Sequence, residues 1–273
     1  MNKIKFAILK HGIIENDLSW NTAMANPGTI HDKNPRAIWG KFPCYSVLIY
    51  HGKAGWILYD CGICPGDEKE RLPAYFRDSY PLYAEPEDYL ENRLKSVGLT
   101  SKDISCVILS HTHWDHMGGI GLFSGTEAGK RIITSEADYS YGIAHSHASL
   151  TGIDGGYIKQ NYQFEGLGFE FIDEDCELFE GIRLIAFKGH TPCILGLMLT
   201  LESGTYLFPS DTVNSRVNYG PPVRSSAFMY DSLGYAESIK KLRKLEAKYH
   251  ATIIFPHDYE QFCTLKQAPY FYE

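Results

Sequence analysis

"SHTHWDHMGG", residues Ser110–Gly119, concentrates four side chains that bind metals or move protons into six positions. They are His111, His113, Asp115 and His116. Imidazole nitrogens and carboxylate oxygens are the usual protein ligands of zinc and other divalent metals. A catalytic zinc takes about three protein ligands, and side chains on so short a segment diverge too much to surround one ion. The stretch therefore predicts two metals, each completing its ligand set with residues from elsewhere in the chain.

A continuous apolar run, Ile104–Leu109, leads into this stretch and has the length of a buried strand. His111 and His113 follow where the strand gives way to a loop, and alternate residues of an extended segment can point the same way. The glycines after Met117 allow the backbone to turn tightly. The pattern predicts metal ligands at the end of a buried strand.

Three further candidate ligands lie in the second half of the chain. His190 stands in "KGHTP", just after the predicted strand Ile182–Phe187. Asp211 and His257 each end a predicted strand. Each of the three alone is explained equally well as an isolated polar residue at a strand end. Their joint occurrence with the histidine cluster favours one shared site.

The two halves of the chain are distantly alike. The predicted hairpin "YSVLIYHGKAGWILYD" ends at Asp60, and the predicted hairpin "LGLMLTLESGTYLFPSD" ends at Asp211. Each hairpin is followed by a predicted helix and by a buried strand that ends in histidine, "CVILSH" or "TIIFPH". This likeness predicts two β-rich halves whose strand ends converge on one polar site.

Strands and helices alternate along the whole chain. Predicted strands are Ile4–Leu9, Tyr45–Tyr50, Trp56–Tyr59, Ile104–Leu109, Phe169–Ile172, Ile182–Phe187, Leu195–Leu201, Thr205–Phe208 and Thr252–Phe255, and predicted helices are Glu87–Val97 and Leu233–Tyr249. Three long segments rich in Tyr and Phe are expected to be irregular loops that wall a pocket: Pro65–Tyr83, Ser135–Gly168 and Val213–Asp231.

Composition limits the partners. The 273 residues carry a net charge of −7 and no basic run, which argues against a nucleic-acid or membrane-surface binder. With 44% hydrophobic residues and no obvious linker, residues 1–273 are expected to form one domain. Seven cysteines without disulfide spacing, no signal-peptide pattern and no bilayer-spanning segment favour the cytoplasm. We expect a monomer or homodimer that acts on a small molecule.

The combination of "HTHWDH", "GHTP", Asp211 and His257, in this order, resembles the metallo-β-lactamase superfamily. Within it, "FPCYSVLI" and "KKLRKLEAKYHATIIFPHDYEQF" are similar to the N-acyl homoserine lactone lactonases and relatives such as pyridoxolactonase. The resemblance covers nearly the whole chain. It implies a four-layer αββα sandwich, an α/β (α+β) fold of two mixed β-sheets with outer helices, and the site at their shared edge.

The resemblance also implies a role for each candidate ligand. His111, His113 and His190 would hold the first metal. Asp115, His116 and His257 would hold the second. Asp211 would bridge the two, and Asp60 would orient a ligand from beside the site. The ions would be two divalent metals, zinc in the first place, with iron, manganese and cobalt also suited to these ligands.

The implied reaction is hydrolysis of the lactone ring of a small molecule, such as an acyl-homoserine lactone. Two neighbouring ions lower the pKa of a water that they share, so that a hydroxide is available to attack the lactone carbonyl. Asp115 would accept and deliver the proton. The related lactonases carry a tyrosine three residues after the bridging aspartate, whereas this chain has Asn214. Asn214, or Tyr219 from the following loop, is the candidate to replace it.

Other functions remain open from the sequence alone. A thiolester hydrolase of the glyoxalase II type and a mononuclear-iron persulfide dioxygenase share much of the motif. A signal-binding protein on the same fold is the alternative without catalysis, although a pure binder has no need of all seven ligands.

Two smaller clusters are interpreted as structural. "CGIC", Cys61–Cys64, runs into Pro-Gly and does not open a helix in the manner of a redox motif, so incidental thiols are expected. "HSH", at residues 145–147, is expected in a solvated loop.

Overall fold

The computed structural model describes residues 3–273. In chain order the strands are β1 (Ile4–Asp17), β2 (Trp39–His51), β3 (Gly55–Tyr59), β4 (Leu82–Tyr83), β5 (Ile104–Ile108), β6 (Ile132–Thr134), β7 (Ile153–Asp154), β8 (Tyr157–Ile158), β9 (Phe169–Phe171), β10 (Cys176–Phe179), β11 (Ile182–Phe187), β12 (Ile194–Leu201), β13 (Gly204–Phe208) and β14 (Thr252–Ile253). The α-helices are α1 (Leu18–Asn21), α2 (Ala74–Ser79), α3 (Leu90–Ser96), α4 (Trp114–Met117), α5 (Glu136–Ala148), α6 (Arg216–Tyr219), α7 (Ser232–Tyr249) and α8 (Tyr259–Thr264). Short 3₁₀ helices cover Pro86–Asp88, Ser101–Asp103, Gly118–Phe123, Ala128–Lys130, Lys159–Tyr162 and Ser210–Thr212.

The strands form two large mixed sheets and one small hairpin. The first sheet has the order β4-β1-β2-β3-β5-β6-β9, and the second has the order β10-β11-β12-β13-β14. Within the described residues, strands β7 and β8 pair only with each other. Among residues 3–273 no helix is long and apolar enough to cross a membrane.

Both faces of each sheet are buried, which explains the nearly continuous apolar sequences of the central strands. On β2, Val47 and Ile49 belong to the core shared by the two sheets, whereas Leu48 packs in a cluster with residues of α3. On β12, Leu197 lies in the shared core and Met198 packs with residues of α7. Helices therefore cover the outer side of each sheet, which is the four-layer αββα arrangement that the resemblance predicts.

The likeness of the two halves is confirmed in the sheets. Strand β2 pairs antiparallel with β3, which pairs parallel with β5. Strand β12 likewise pairs antiparallel with β13, which pairs parallel with β14. The chain leaves these strands towards Asp60, His111, Asp211 and His257.

The predicted helix Glu87–Val97 is interrupted. A 3₁₀ turn covers Pro86–Asp88, Tyr89 is extended, and the α-helix begins at Leu90. The break arises because the buried Asp88 carboxylate accepts the backbone N–H of Glu85 and pairs with Arg93, which closes the turn before the helix starts. The predicted strand Thr252–Phe255 is shorter too, since its ladder ends at Ile253.

The prediction of an irregular loop over Ser135–Gly168 is wrong. Helix α5 occupies much of it, and the hairpin β7–β8 follows. The helix escaped detection because its buried positions are Asp138, Gly142 and Ser146, which form no apolar stripe. The "HSH" histidines thus lie in the last turn of a helix. The two other predicted loops contain the short helices α2 and α6.

Candidate metal centre

The seven predicted ligands come together in two neighbouring groups, in each of which the potential ligand atoms lie within 4.8 Å of one another. The first ligand group is His111, His113, His190 and Asp211, and the second ligand group is Asp115, His116 and His257. All seven side chains are buried. The chain delivers them from four places: the segment after β5 and the segments after β11, β13 and β14.

Asp211 lies between the two groups. Its Oδ1 is 3.2 Å from Nε2 of His116 and 3.2 Å from Nε2 of His257. Its Oδ2 is 3.5 Å from Nε2 of His190, which in turn is 3.1 Å from Nδ1 of His113. One carboxylate thus presents one oxygen to each group, as a bridging ligand requires.

Several ligand atoms are buried without a hydrogen-bond partner in the described part of the chain. They include Nε2 of His111, Nε2 of His116 and Oδ1 of Asp211. A buried polar atom left without a partner costs about 1–3 kcal/mol. A divalent cation in each group would supply the missing partner, and imidazole with carboxylate is a suitable donor set for it. The residues present therefore fit a metal centre.

Backbone carbonyls fix the orientation of two ligand imidazoles. The Nδ1–H of His257 donates to the carbonyl of Pro43 at 2.9 Å, and the Nδ1–H of His190 donates to the carbonyl of Phe228 at 3.1 Å. Because a carbonyl can only accept, each proton sits on Nδ1, and each Nε2 lone pair faces the centre.

Asp60 plays the same part for His116. Its Oδ2 accepts the Nδ1–H of His116 at 2.8 Å, and its two oxygens also accept the backbone N–H and the hydroxyl of Ser110 at 2.7 and 2.9 Å. Asp60 is itself held with a positive φ of 62° directly after β3. It lies beside the candidate ligands and fixes the orientation of the His116 imidazole through this hydrogen bond.

The two groups differ in electrostatics. Burial, with the neighbouring imidazoles, holds the pKa of His111 and of His113 well below the ordinary value. Burial alone would also lower the pKa of His116, but the carboxylates of Asp115 and Asp211 outweigh it and raise the pKa well above the ordinary value. The first ligand group therefore presents neutral imidazoles, the form that binds a metal.

A cavity opens above the ligands. Its lining residues are Ile14, Asn16, Asn21, Phe42, Phe76, Tyr80, His113, Trp114, Asp115, Gly155, Gly156, His190, Asp211, Asn214, Phe228 and His257. One side is aromatic: the rings of Phe76 and Phe228 lie 5.3 and 5.9 Å from that of Tyr80. Within residues 3–273, Oη of Tyr80 and Nδ2 of Asn16 are buried without hydrogen-bond partners. Sequence reasoning missed both residues, because neither belongs to a motif.

The two candidates for the missing tyrosine are placed differently. Asn214 is buried and lines the cavity, and its Nδ2 donates to Oδ1 of Asn21 at 3.1 Å. Tyr219 does not line the cavity. Its hydroxyl donates to Glu246, and its ring packs against Phe255. The expectation that Tyr219 reaches into the site is therefore corrected: Tyr219 is the last residue of α6, and its hydroxyl is held by Glu246 of α7.

The "CGIC" cysteines are both free thiols. Cys61 is fully buried, and burial raises the pKa of its thiol well above the ordinary value. Burial also raises the pKa of Cys64 to about 11. Thiols that stay protonated are poor nucleophiles, and the interpretation as incidental thiols stays a prediction.

Known proteins share this architecture. Residues 39–257 match the family described as the metallo-beta-lactamase superfamily. The N-acyl homoserine lactonase AiiB of Agrobacterium fabrum is 31% identical over 228 residues, which cover 80% of this chain and 80% of that protein.

Two solved structures are similar in fold. An N-acyl homoserine lactone hydrolase with the product N-hexanoyl-L-homoserine bound at its catalytic metal centre has a TM-score of 0.82 and 24% identity, covering 100% of both chains. AidC, a dizinc quorum-quenching lactonase in complex with a product, has a TM-score of 0.67 and 18% identity, covering 95% of this chain and 89% of that one. Because the family match spans most of the chain and a relative is 31% identical over 80% of it, this protein belongs to the metallo-beta-lactamase superfamily.

Proposed function

We propose that this protein is a metal-dependent hydrolase that opens the lactone ring of a small molecule, with acyl-homoserine lactones as the first substrate class to test. The observation that carries the proposal is the carboxylate of Asp211, which faces both ligand groups with one oxygen each. The relation to lactonases such as AiiB supports the choice of a lactone over other esters.

The proposed cofactors are two divalent ions, zinc in the first place. His111, His113 and His190 would hold one, Asp115, His116 and His257 the other, and Asp211 would touch both. Bound there, the ions would supply a water of lowered pKa and a Lewis acid for the lactone carbonyl.

Asp115 is the proposed carrier of the proton. It lines the cavity, and its Oδ2 lies 3.6 Å from Nε2 of both His116 and His257. A carboxylate so placed accepts the proton that the attacking water loses and returns it to the ring oxygen once the carbonyl C–O bond breaks. The product is a hydroxy acid, with the water oxygen in the new carboxyl group.

Tyr80 and the asparagines are proposed to orient the substrate. Oη of Tyr80 and Nδ2 of Asn16 are donors without partners in the described residues, beside the same cavity as Asp115. Asn214, Asn21 and Asn16 form a hydrogen-bonded row along one wall. A lactone carbonyl or an acyl amide offers these donors an acceptor, while the aromatic wall suits an apolar acyl chain.

Substrate and metal content test the proposal together. The purified protein, loaded with zinc, is screened with a pH indicator against acyl-homoserine lactones, pyridoxolactone, simple lactones and glutathione thiolesters. We expect two ions per chain and proton release with a lactone. Turnover of thiolesters alone would favour the glyoxalase II type, one iron per chain would favour the dioxygenase, and tight lactone binding without turnover would favour a signal-binding protein.

Replacing Asp211 tests the bridging role. Asp211→Ala should abolish lactone hydrolysis and weaken retention of both ions, because each ion loses a ligand. Asp67→Ala is the matched control: Asp67 is also a buried carboxylate, but it binds Arg71 outside the site. Full activity in Asp211→Ala would show that the centre is misassigned.

A further inference from the structure

A second buried aspartate, outside the predicted site, lies behind the first ligand group. Asp138 is in the first turn of α5 and is 0% exposed. Its backbone N–H is capped by Oγ of Ser135 at 3.1 Å, which fixes the start of the helix. A fully buried carboxylate is tolerated only when other groups hydrogen-bond to it, so its partners reveal its role.

The principal partner of Asp138 is the residue between two ligands. Oδ2 of Asp138 accepts both the backbone N–H and the hydroxyl of Thr112, each at 2.7 Å. Thr112 separates His111 from His113 in the sequence. Its hydroxyl also accepts a hydrogen bond from Tyr162 at 2.9 Å. The carboxylate therefore fixes the backbone from which both imidazoles project.

The other oxygen of Asp138 acts on His113 through an aromatic ring. Oδ1 accepts the hydroxyl of Tyr157 at 2.8 Å. The Tyr157 ring packs edge to face on the imidazole of His113, with ring centroids 4.5 Å apart. The backbone next to Tyr157 also contacts the backbone next to His113, because the carbonyl of Gly156 accepts the N–H of Trp114 at 2.9 Å.

The residue after the third histidine of the group lies near the same carboxylate. The side chain of Thr191, which follows His190, is one of the polar groups that lower the pKa of the Asp138 carboxyl against the effect of its burial. Helix α5 has little other buried surface: its buried positions are Asp138, Gly142 and Ser146. The helix thus packs on the metal centre through a polar contact and contributes little apolar core.

Asp60 supplies the counterpart on the other side. Asp60 binds the N–H and hydroxyl of Ser110, as Asp138 binds those of Thr112, so that His111 is flanked by two residues that each donate twice to a buried carboxylate. Asp60 accepts a hydrogen bond from His116 of the second ligand group. Asp138 instead accepts hydrogen bonds from Thr112, which lies between two histidines of the first ligand group.

We propose that Asp138 is the positioning residue of the first ligand group, as Asp60 is of the second. The inference rests on the proposed metal centre and adds that each ion has its own supporting carboxylate. Removing such a support lowers metal affinity by about 10–100-fold in known metal sites. The loss should be confined to one of the two ions, which a general loss of stability would not produce.

A double-mutant design isolates the ion concerned. Zn²⁺ is titrated into the metal-free protein against a colorimetric chelator in two backgrounds, His257→Ala to disable the second ligand group and His190→Ala to disable the first. Asp138→Ala should lower the affinity for the remaining zinc ion about 10–100-fold in the His257→Ala background. It should leave that affinity unchanged in the His190→Ala background. Asp60→Ala should lower the zinc affinity that remains in the His190→Ala background, because Asp60 accepts the Nδ1–H of His116.

Two further variants separate positioning from folding. Asp138→Asn keeps an acceptor oxygen for Thr112 and presents an amide to the Tyr157 hydroxyl, so it should restore most of the affinity that Asp138→Ala loses. Asp67→Ala should lower thermal stability without changing either affinity.

The outcomes distinguish the two proposals. Equal effects of Asp138→Ala in both backgrounds, or none in either, would overturn the positioning role. If Asp138→Ala fails to fold, Asp138→Asn is titrated in the same two backgrounds. We then expect a smaller loss of zinc affinity that is confined to the first ligand group. No loss of affinity, or an equal loss in both backgrounds, would contradict the positioning role. A wild-type protein that binds no zinc would overturn the metal centre itself, and zinc binding without lactone turnover would overturn only the substrate class.

Discussion

At the scale of single residues, the candidate site is marked by buried atoms that lack hydrogen-bond partners. Nε2 of His111 and of His116 and Oδ1 of Asp211 are buried without hydrogen-bond partners among the described residues, and so is Oη of Tyr80. The first three are explained by a cation. The hydroxyl of Tyr80 is not a usual ligand of such an ion, and its place in the cavity wall suits a substrate oxygen.

Tyr80→Phe tests this interpretation. We expect kcat for the lactone to fall on the order of 10²-fold, the effect of removing one donor to a developing negative charge. The free energy of unfolding should stay the same or rise, because a buried hydroxyl without a partner is removed. Steady-state kinetics and thermal unfolding measure the two effects.

Tyr219→Phe is the matched control for that variant. It removes a hydroxyl that donates to Glu246 outside the cavity, so stability should fall slightly while activity is retained. An unchanged kcat in Tyr80→Phe would contradict the proposal that the Tyr80 hydroxyl donates to a substrate oxygen.

At the scale of elements, small hairpins and short helices hold the ligands in place. The hairpin β7–β8 presses Gly156 against His113: a Cβ at Gly156 would lie 2.5 Å from Cγ of that ring. The observed position of the His113 ring therefore requires a residue without a side chain at 156, since real Cβ contacts are essentially never this short.

Gly156→Ala should therefore displace the imidazole of His113. We expect a loss of about 1–3 kcal/mol in unfolding free energy, as for other overpacked sites, with weaker zinc binding and lower activity. Gly52→Ala serves as control, because the nearest atom to its Cβ is 3.6 Å away. Wild-type zinc affinity in Gly156→Ala would show that the β7–β8 hairpin shifts to accommodate the added methyl group without displacing His113.

At the scale of the whole molecule, the candidate metal centre takes its residues from both sheets. The first sheet supplies the candidate ligands after β5, and the second supplies those after β11, β13 and β14. Direct bonds cross at the same place: Leu195 N–H donates to the carbonyl of Ser110 at 2.8 Å, and the Tyr59 hydroxyl donates to the carbonyl of Leu195 at 2.8 Å.

Removal of metal should loosen this junction. Because an ion that binds the folded protein stabilises it by about 2.7 kcal/mol at a hundredfold excess over Kd, chelation should lower the melting temperature, and zinc should restore it. Asp211→Ala should show a smaller difference between the two conditions. A melting temperature that does not depend on chelator would argue against ligands shared by both sheets.

Much of the fold and the clustering of the seven candidate ligands was predictable because the signals are local. Apolar runs of strand length, hairpin turns and the spacing of "HTHWDH" are properties of consecutive residues. Helix α5 was not predictable, since it buries Asp138, Gly142 and Ser146 in place of an apolar stripe. The orientation of Tyr219 was equally hidden, because it depends on Glu246 in a distant helix.

The sequence by itself determined the alternation of strands and helices, the likeness of the two halves and the seven candidate ligands, since each follows from residue type and short-range spacing. Only the tertiary structure decided that Asp211 faces both ligand groups, that Tyr80 and Asn16 border the same cavity, and that Asp138 supports the histidines from behind. These relations involve atoms that are far apart in the chain, so short-range sequence patterns do not reveal them. They are important because a buried polar atom has no access to water and is stabilised only by partners within the folded protein.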